Sequence, residues 1–166
     1  MRRAAIVTPL RTGVGGFGGT LRPLTADRLA ASVIKAVVER SGVDPERIDE
    51  VVMAQSYASS EAPCIARYAL LAAGLPIGIA GYTVDRRCGS GLQAVIDAAM
   101  IVSSGAADVV VAGGVESMSN IEYYTTDLRW GARAGSVTAS WERAAFSAEA
   151  RPGRQLKRVP SGPSRW

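Results

Sequence analysis

Apolar positions along this chain fall into two rhythms. Short apolar, partly β-branched runs at 4–8, 49–54, 80–84 and 108–112 are bounded by Pro, Gly or Asp, which predicts buried strands. Between them lie segments of helical period. The first runs from a cap at Thr25 or Asp27 to Arg40, with Leu29, Val33, Ala36 and Val37 expected on one face and Gly42 as terminator. The second runs from Pro63, a residue tolerated in a first turn, to Ala73, and stops at Gly74-Leu75-Pro76. The third begins near Ser90 and ends near Ser104. Four strands alternating with three helices predict an α/β fold, its parallel sheet built from right-handed crossovers.

The third helix breaks the pattern of the other two. Ala94, Val95, Ile96, Ala98, Ala99, Met100, Ile101 and Val102 leave only Gln93 and Asp97 polar over its central stretch. A helix apolar nearly all round belongs in an interior covered on both sides. One sheet covers one side only, so a second layer, from another domain or another chain, is expected on the other.

Composition changes this picture in three ways. The 166 residues, 48% of them apolar, suffice for one ordinary domain with a real core. The net charge of +4 would suggest nucleic acid or a membrane surface if it were spread over the fold, but residues 1–138 carry 13 basic and 13 acidic side chains. The excess therefore lies wholly in residues 139–166, where no aromatic interleaving accompanies it. No nucleic-acid partner is expected. No membrane role is expected either, since the run from Ala4 to Leu10 is too short for a signal core and no run approaches a span. The expected location is cytoplasmic, with Cys64 and Cys88 reduced. The third change is an absence: with no histidine, these 166 residues hold no imidazole base, acid or metal ligand, and no metal site is expected.

The tail reads differently from what precedes it. In residues 139–166, 21 of 28 are Ala, Arg, Pro, Gly, Ser or Trp, without helical or strand period. Most have G/C-rich codons, as expected if translation leaves its original frame near Ala139. A genuine disordered basic tail is the alternative.

Two segments bear on chemistry. Gly13-Val14-Gly15-Gly16-Phe17-Gly18 matches the spacing G-x-G-x-x-G, but a dinucleotide fingerprint leads straight into a helix and here Thr20 to Leu24, with Pro23, intervenes. The second is Asp85-Arg86-Arg87-Cys88-Gly89-Ser90-Gly91, where a strand delivers Cys88 to a turn at the mouth of the apolar helix. Free amides of a first turn stabilise negative charge by about 0.3 to 1 kcal/mol, and the glycines admit a substrate close to the backbone. Such a thiolate is a nucleophile suited to a thioester, and the Cys88 N–H could serve an oxyanion. The competing reading makes Cys88 a small packing residue on a tight turn. A serine-hydrolase elbow centred on Ser90 fails, because Cys88 occupies the place of its first glycine. Cys64, in the second helix, is read as packing.

The stretch Thr83-Val84-Asp85-Arg86-Arg87-Cys88-Gly89-Ser90-Gly91-Leu92-Gln93-Ala94 resembles the nucleophile motif of the thiolase family, the acetyl-CoA acetyltransferases and 3-ketoacyl-CoA thiolases. Pro9-Leu10-Arg11-Thr12-Gly13 with Phe17-Gly18-Gly19 resembles the family's N-terminal loop, and Val111 to Ser119 resembles the block after its fourth strand. The resemblance runs from about Arg3 to Thr138. It implies the first half of an αβαβα sandwich, mostly parallel sheet with a central buried helix, truncated relative to the family, with residues 1–138 as an N-terminal α/β domain whose loop domain begins near 115. It also implies that the residue at Cys88 attacks an acyl-CoA or acetyl-CoA thioester, the coenzyme A ester being substrate rather than bound cofactor, in an oligomer of like chains.

Departures accompany the matches. Gly13 replaces a usual proline, and Asp85 replaces a usual asparagine beside Cys88. Glu61-Ala62-Pro63-Cys64-Ile65-Ala66-Arg67 only loosely follows the family's Asn-Pro-Ala-Arg stretch. The family's catalytic histidine and second catalytic cysteine have no counterpart here, Cys64 lying in the wrong part of the fold. Proton handling is typically worth about 10²- to 10⁴-fold, so this chain is expected at best to acylate slowly and not to turn over. A non-catalytic remnant acting by association is the second expectation, and a dinucleotide binder the last.

Overall fold

The computed structural model describes residues 2–131 and 135–141. The chain divides into two compact units, residues 1–120 and 121–166. In the first, three parallel strands form one sheet: β1 (Glu50–Ala54), β2 (Ala80–Val84) and β3 (Val110–Gly114), in the order β2-β1-β3. The register pairs Glu50 with both Ala80 and Val110, and Ala54 with both Val84 and Gly114, so all three strands end level. In the second unit β4 (Tyr123–Tyr124) pairs antiparallel with β5 (Ser140–Trp141). The remainder of the tail, from 142 onward, lies outside the described residues.

Helix α1 (Ala26–Ser41) follows Thr25 and closes at Gly42 with φ +67°. Helix α2 (Ile65–Ala72) links β1 to β2, and α3 (Ser90–Ser104) links β2 to β3, closing at Gly105 with φ +83°. The first crossover travels outward from β1 and the second travels back across it. Crossovers of one hand moving in opposite directions lie on opposite faces. Strand alternation records this: Val51 and Met53 pack with Ile65, Ala66, Ala69 and Leu70 of α2 and with Ile34 of α1, whereas Val52 and Ala54 pack with Ala94 of α3. Among the described residues no helix is long and apolar enough to cross a membrane.

The helices, β1 and β2 lie close to the positions expected from pattern. Four details differ. Residues 4–8 form no strand: Thr8 takes φ +51°, which breaks an extended run, and the backbone bond nearby, from Arg2 N–H to the Ser103 carbonyl, lies before the segment. Ile6 is 78% exposed, and a largely apolar cavity of about 680 Å³ is lined on one side by this segment and on the other by β3. The sheet therefore has three strands where four were expected. The last of these begins at Val110 rather than Asp108, because the Asp108 and Val109 N–H groups donate to Asp49 Oδ2 at 2.7 and 3.0 Å instead of entering the ladder.

Helix α2 starts at Ile65 rather than Pro63, because Cys64 keeps a non-helical backbone and its thiol donates to the Gly81 carbonyl at 3.5 Å. On α1 the buried residues are Ala30, Ala31, Ile34 and Val38. The expected face of Leu29, Val33 and Val37 is only partly buried and lines the cavity beside β3, which Ala30 and Ile34 also reach. The helix leans on α2, and its buried stripe joins the cluster that α2 forms with Val51 and Met53.

Candidate active site

Parallel strands bring their C-terminal ends to one edge, and three loops leave the sheet there. In open α/β sheets that edge is where ligands meet the protein. β2 leads into Asp85-Arg86-Arg87-Cys88-Gly89, β1 into Gln55-Ser56-Tyr57, and β3 into Val115-Glu116. The first turn of α3 sits close against β3. A Cβ on Gly114 would stand 3.6 Å from Gly91 Cα, in ordinary contact with the turn, and 3.1 Å from Ala54 Cβ, which would have to give by a few tenths of an ångström.

The turn before α3 is held by its own polar atoms. Arg87 takes φ +49°, a left-handed conformation uncommon for a residue with a Cβ. Its N–H donates to Asp85 Oδ1 at 2.9 Å, and its carbonyl accepts from Ser90 N at 2.9 Å, Ser90 Oγ at 2.6 Å and Ser56 Oγ at 2.9 Å. The buried Ser90 hydroxyl also accepts from Arg86 N at 2.6 Å. Gly89 N–H turns back to the Arg86 carbonyl at 3.1 Å, and the helical ladder opens with Gln93 N–H on the Gly89 carbonyl at 3.0 Å. Two amides of the helix mouth are thus committed to shaping the turn. Cys88 lies on its outside and is exposed.

The flanking charges have partners of their own. Arg87 Nη1 donates to the Ser56 carbonyl at 2.7 Å and pairs with Asp85 Oδ2 at 3.4 Å. Arg86 runs along α3 to Gln93 Oε1, whose amide in turn donates to Asp97 at 2.6 Å. Asp85, the departure that would oppose negative charge at Cys88, is thereby partly neutralised by its neighbour.

The third loop adds a residue to which sequence reasoning assigned no role. Glu116 Oε2 accepts from Ser56 N at 2.9 Å and Oε1 from Tyr57 N at 3.4 Å. Its side chain reaches solvent, yet partial loss of water around the carboxylate holds its pKa above the ordinary carboxylate range. The two N–H bonds oppose that shift, Asp85 adds to it and Arg87 reduces it. Beneath this loop Gln55 is only 5% exposed, and its Oε1 accepts no hydrogen bond among the described residues. Arg67 serves the other end of β2, donating to the carbonyls of Ile77 and Ile79. Turns occupy residues 17–24 between the glycine-rich segment and α1, so those glycines do not open a helix.

This arrangement has close relatives. The model of the N-terminal domain of thiolase matches residues 4–142. The chain belongs to the thiolase family. The acetyl-CoA acetyltransferase of Cupriavidus necator is 44% identical over 137 residues, covering 82% of this chain and 35% of that protein. The acetyl-CoA acetyltransferase of Schizosaccharomyces pombe is 42% identical over 132 residues, covering 80% of this chain and 33% of its own length. The crystal structure of the Bacillus anthracis acetyl-CoA acetyltransferase superposes with a TM-score of 0.69 at 42% identity, over 74% of this chain and 32% of that one. This thiolase-family chain spans about a third of the length of the curated relatives it matches.

Proposed function

We propose that this chain presents the nucleophile of a thiolase-family acyl-CoA C-acyltransferase, with Cys88 as the reacting thiol and acetyl-CoA or another acyl-CoA as substrate. The Cys88 sulfur attacks the thioester carbonyl, the carbon–sulfur bond to coenzyme A breaks, and the thiol proton leaves with coenzyme A as its free thiol. The product is an S-acyl cysteine. One observation carries the reading: Cys88 is exposed on a turn at the mouth of α3, at the sheet edge where three loops converge. The chain holds no histidine, so the second step, in which an acceptor must be deprotonated, lacks an imidazole from these residues. One acylation per chain, without turnover, is the expected behaviour.

Incubation with acetyl-CoA followed by intact-mass analysis and peptide mapping tests this. A single acetyl group on the peptide carrying Cys88, lost in Cys88→Ser, supports the reading. A chain that stays unmodified overturns it. The exposed Leu92, Ile96 and Met100 on α3 favour a second reading, in which the chain acts by association alone. Binding to a full-length acetyl-CoA acetyltransferase without Cys88-dependent acetylation would select it.

A further inference from the structure

We propose that Ser56 and Glu116 are positioning residues for Cys88, clamping the Arg87 carbonyl and, through it, the peptide that carries the Cys88 N–H. The inference deepens the reading above, since it rests on Cys88 being the reacting thiol. Its basis is a relay across three loops. Glu116 holds the backbone after β1 through the Ser56 and Tyr57 N–H groups at 2.9 and 3.4 Å, and the Ser56 hydroxyl donates to the Arg87 carbonyl at 2.9 Å. Arg87 Nη1 returns a bond to the Ser56 carbonyl at 2.7 Å, so the two loops are joined twice.

A peptide unit is planar and trans, with its oxygen and its N–H on opposite sides. Fixing the Arg87 oxygen therefore fixes the direction of the Cys88 N–H and the position of the Cys88 Cα. The left-handed backbone at Arg87 gives this clamp a purpose. A conformation costly for a residue with a Cβ persists only where surrounding bonds over-determine it. Asp85 and Ser90 supply local bonds, but both belong to the turn itself. Ser56 lies in the loop after β1 and ties the turn to that edge of the sheet, and Glu116, in the loop after β3, holds Ser56 in place. Without them the turn keeps its local bonds to the start of α3 but loses its tie to the loop after β1, so the peptide carrying the Cys88 N–H can move relative to the sheet edge.

The test uses the whole chain with Cys64→Ala, which leaves Cys88 as the one thiol, and iodoacetamide as probe. Its alkylation rate is read by mass spectrometry. Ser56→Ala is expected to slow alkylation by about two- to fivefold, the range a helix-end alignment supports, and Glu116→Gln to slow it less. Ser56→Thr retains the hydroxyl and is expected to restore the rate to within about 1.5-fold. That rescue separates positioning from loss of packing. A Ser56→Ala chain with unchanged melting that reacts at the parent rate would overturn the proposal, as would a threonine variant as slow as alanine.

Amide exchange on the unsubstituted chain covers the case in which Ser56→Ala fails to fold. The Ser56 and Ser90 amides are expected to exchange at least about tenfold slower than exposed loop amides. Exchange at the exposed rate would remove the clamp. Iodoacetamide needs neither coenzyme A nor an acceptor, so a chain that refuses acetyl-CoA yet shows the serine dependence loses the acyl-transfer reading and keeps this one. A chain that takes acetyl without serine dependence does the reverse.

Discussion

The two faces of the sheet are built to different standards. Against α1 and α2, Val51, Ile65, Ala66, Ala69 and Leu70 are fully buried within a cluster of thirteen residues. Against α3 the buried cluster is three: Val52, Ala54 and Ala94. Helix α3 meets this cluster through Ala94 and Ile101, while Leu92, Ile96 and Met100 are 69, 41 and 64% exposed. The first face therefore supplies most of the hydrophobic stabilisation. The second places a helix mouth, and Cys88 with it, where small residues let backbone approach backbone. The face that carries the chemistry is the weaker one within this chain.

Substitutions can break or sharpen that contrast. Leu70→Ala empties a fully buried position on the thick face, where truncation typically costs about 2 to 5 kcal/mol. Urea denaturation is expected to show a loss in that range, and a loss below about 1 kcal/mol would mean that the two faces are equivalent. Ala94→Leu tests the thin face by overfilling it, at a typical cost of about 1 to 3 kcal/mol. Because Ala94 touches Val52 and Ala54, the added volume must lift α3. The same variant is therefore expected to change the Cys88 alkylation rate, which Leu70→Ala leaves unaltered as long as the chain is folded.

A third substitution probes the plane between the faces. Asp49 stitches the start of β1 to the start of β3, and the Val109 and Asp108 N–H groups hold its pKa below the ordinary carboxylate value, with slight burial opposing and Arg47 helping. A carboxylate whose folded pKa is depressed contributes stability above its unfolded pKa and loses it as pH falls through the folded value. Asp49→Asn is thus expected to lower the denaturation midpoint at neutral pH, by less than Ala94→Leu does, with the gap to the parent closing as pH drops below about 3.8. Glu116 has the opposite sign. Its folded pKa is raised, so its contribution favours the fold at low pH and is lost as pH rises through the folded value. Both carboxylates take two backbone N–H groups from another loop. Loss of water outweighs those bonds at Glu116 and is outweighed by them at Asp49.

Which parts of this were legible in the sequence follows from how local each signal is. The ends of α1 and α3 show in Thr25, Gly42 and Gly105, because a helix terminus is a property of adjacent residues. The turn bearing Cys88 shows for the same reason, as a strand, a glycine pair and an apolar helix in direct succession. The buried stripe of α1 does not show, since Leu29, Val33 and Val37 are as apolar as Ala30, Ile34 and Val38, and contact with α2 decides between them. Residues 4–8 have strand composition, but a strand also needs a bonded neighbour, and among the described residues none pairs with them. Ser56 and Glu116 stand sixty positions apart, and although Glu116 lies in the Val111–Ser119 block, nothing in that block points to Ser56 as its partner. Their partnership exists only because β1 and β3 are neighbours that end level.

The smallest expected effect is the sharpest check on the contrast between faces. Leu92 belongs to the apolar side of α3 that pattern alone assigns to an interior, yet it is 69% exposed in this chain. If that side is open, Leu92→Ser removes little buried surface and adds a hydroxyl that water satisfies, so the denaturation midpoint is expected to move by less than about 0.5 kcal/mol equivalent. If another copy of the chain covers the side, the same change cuts into an interface and costs several times more, increasingly so at higher protein concentration. Unfolding measured at two concentrations about a hundredfold apart separates these outcomes. A Leu92→Ser effect that is small and independent of concentration leaves α3 with one covered side, held by Ala94 and Ile101 against the sheet.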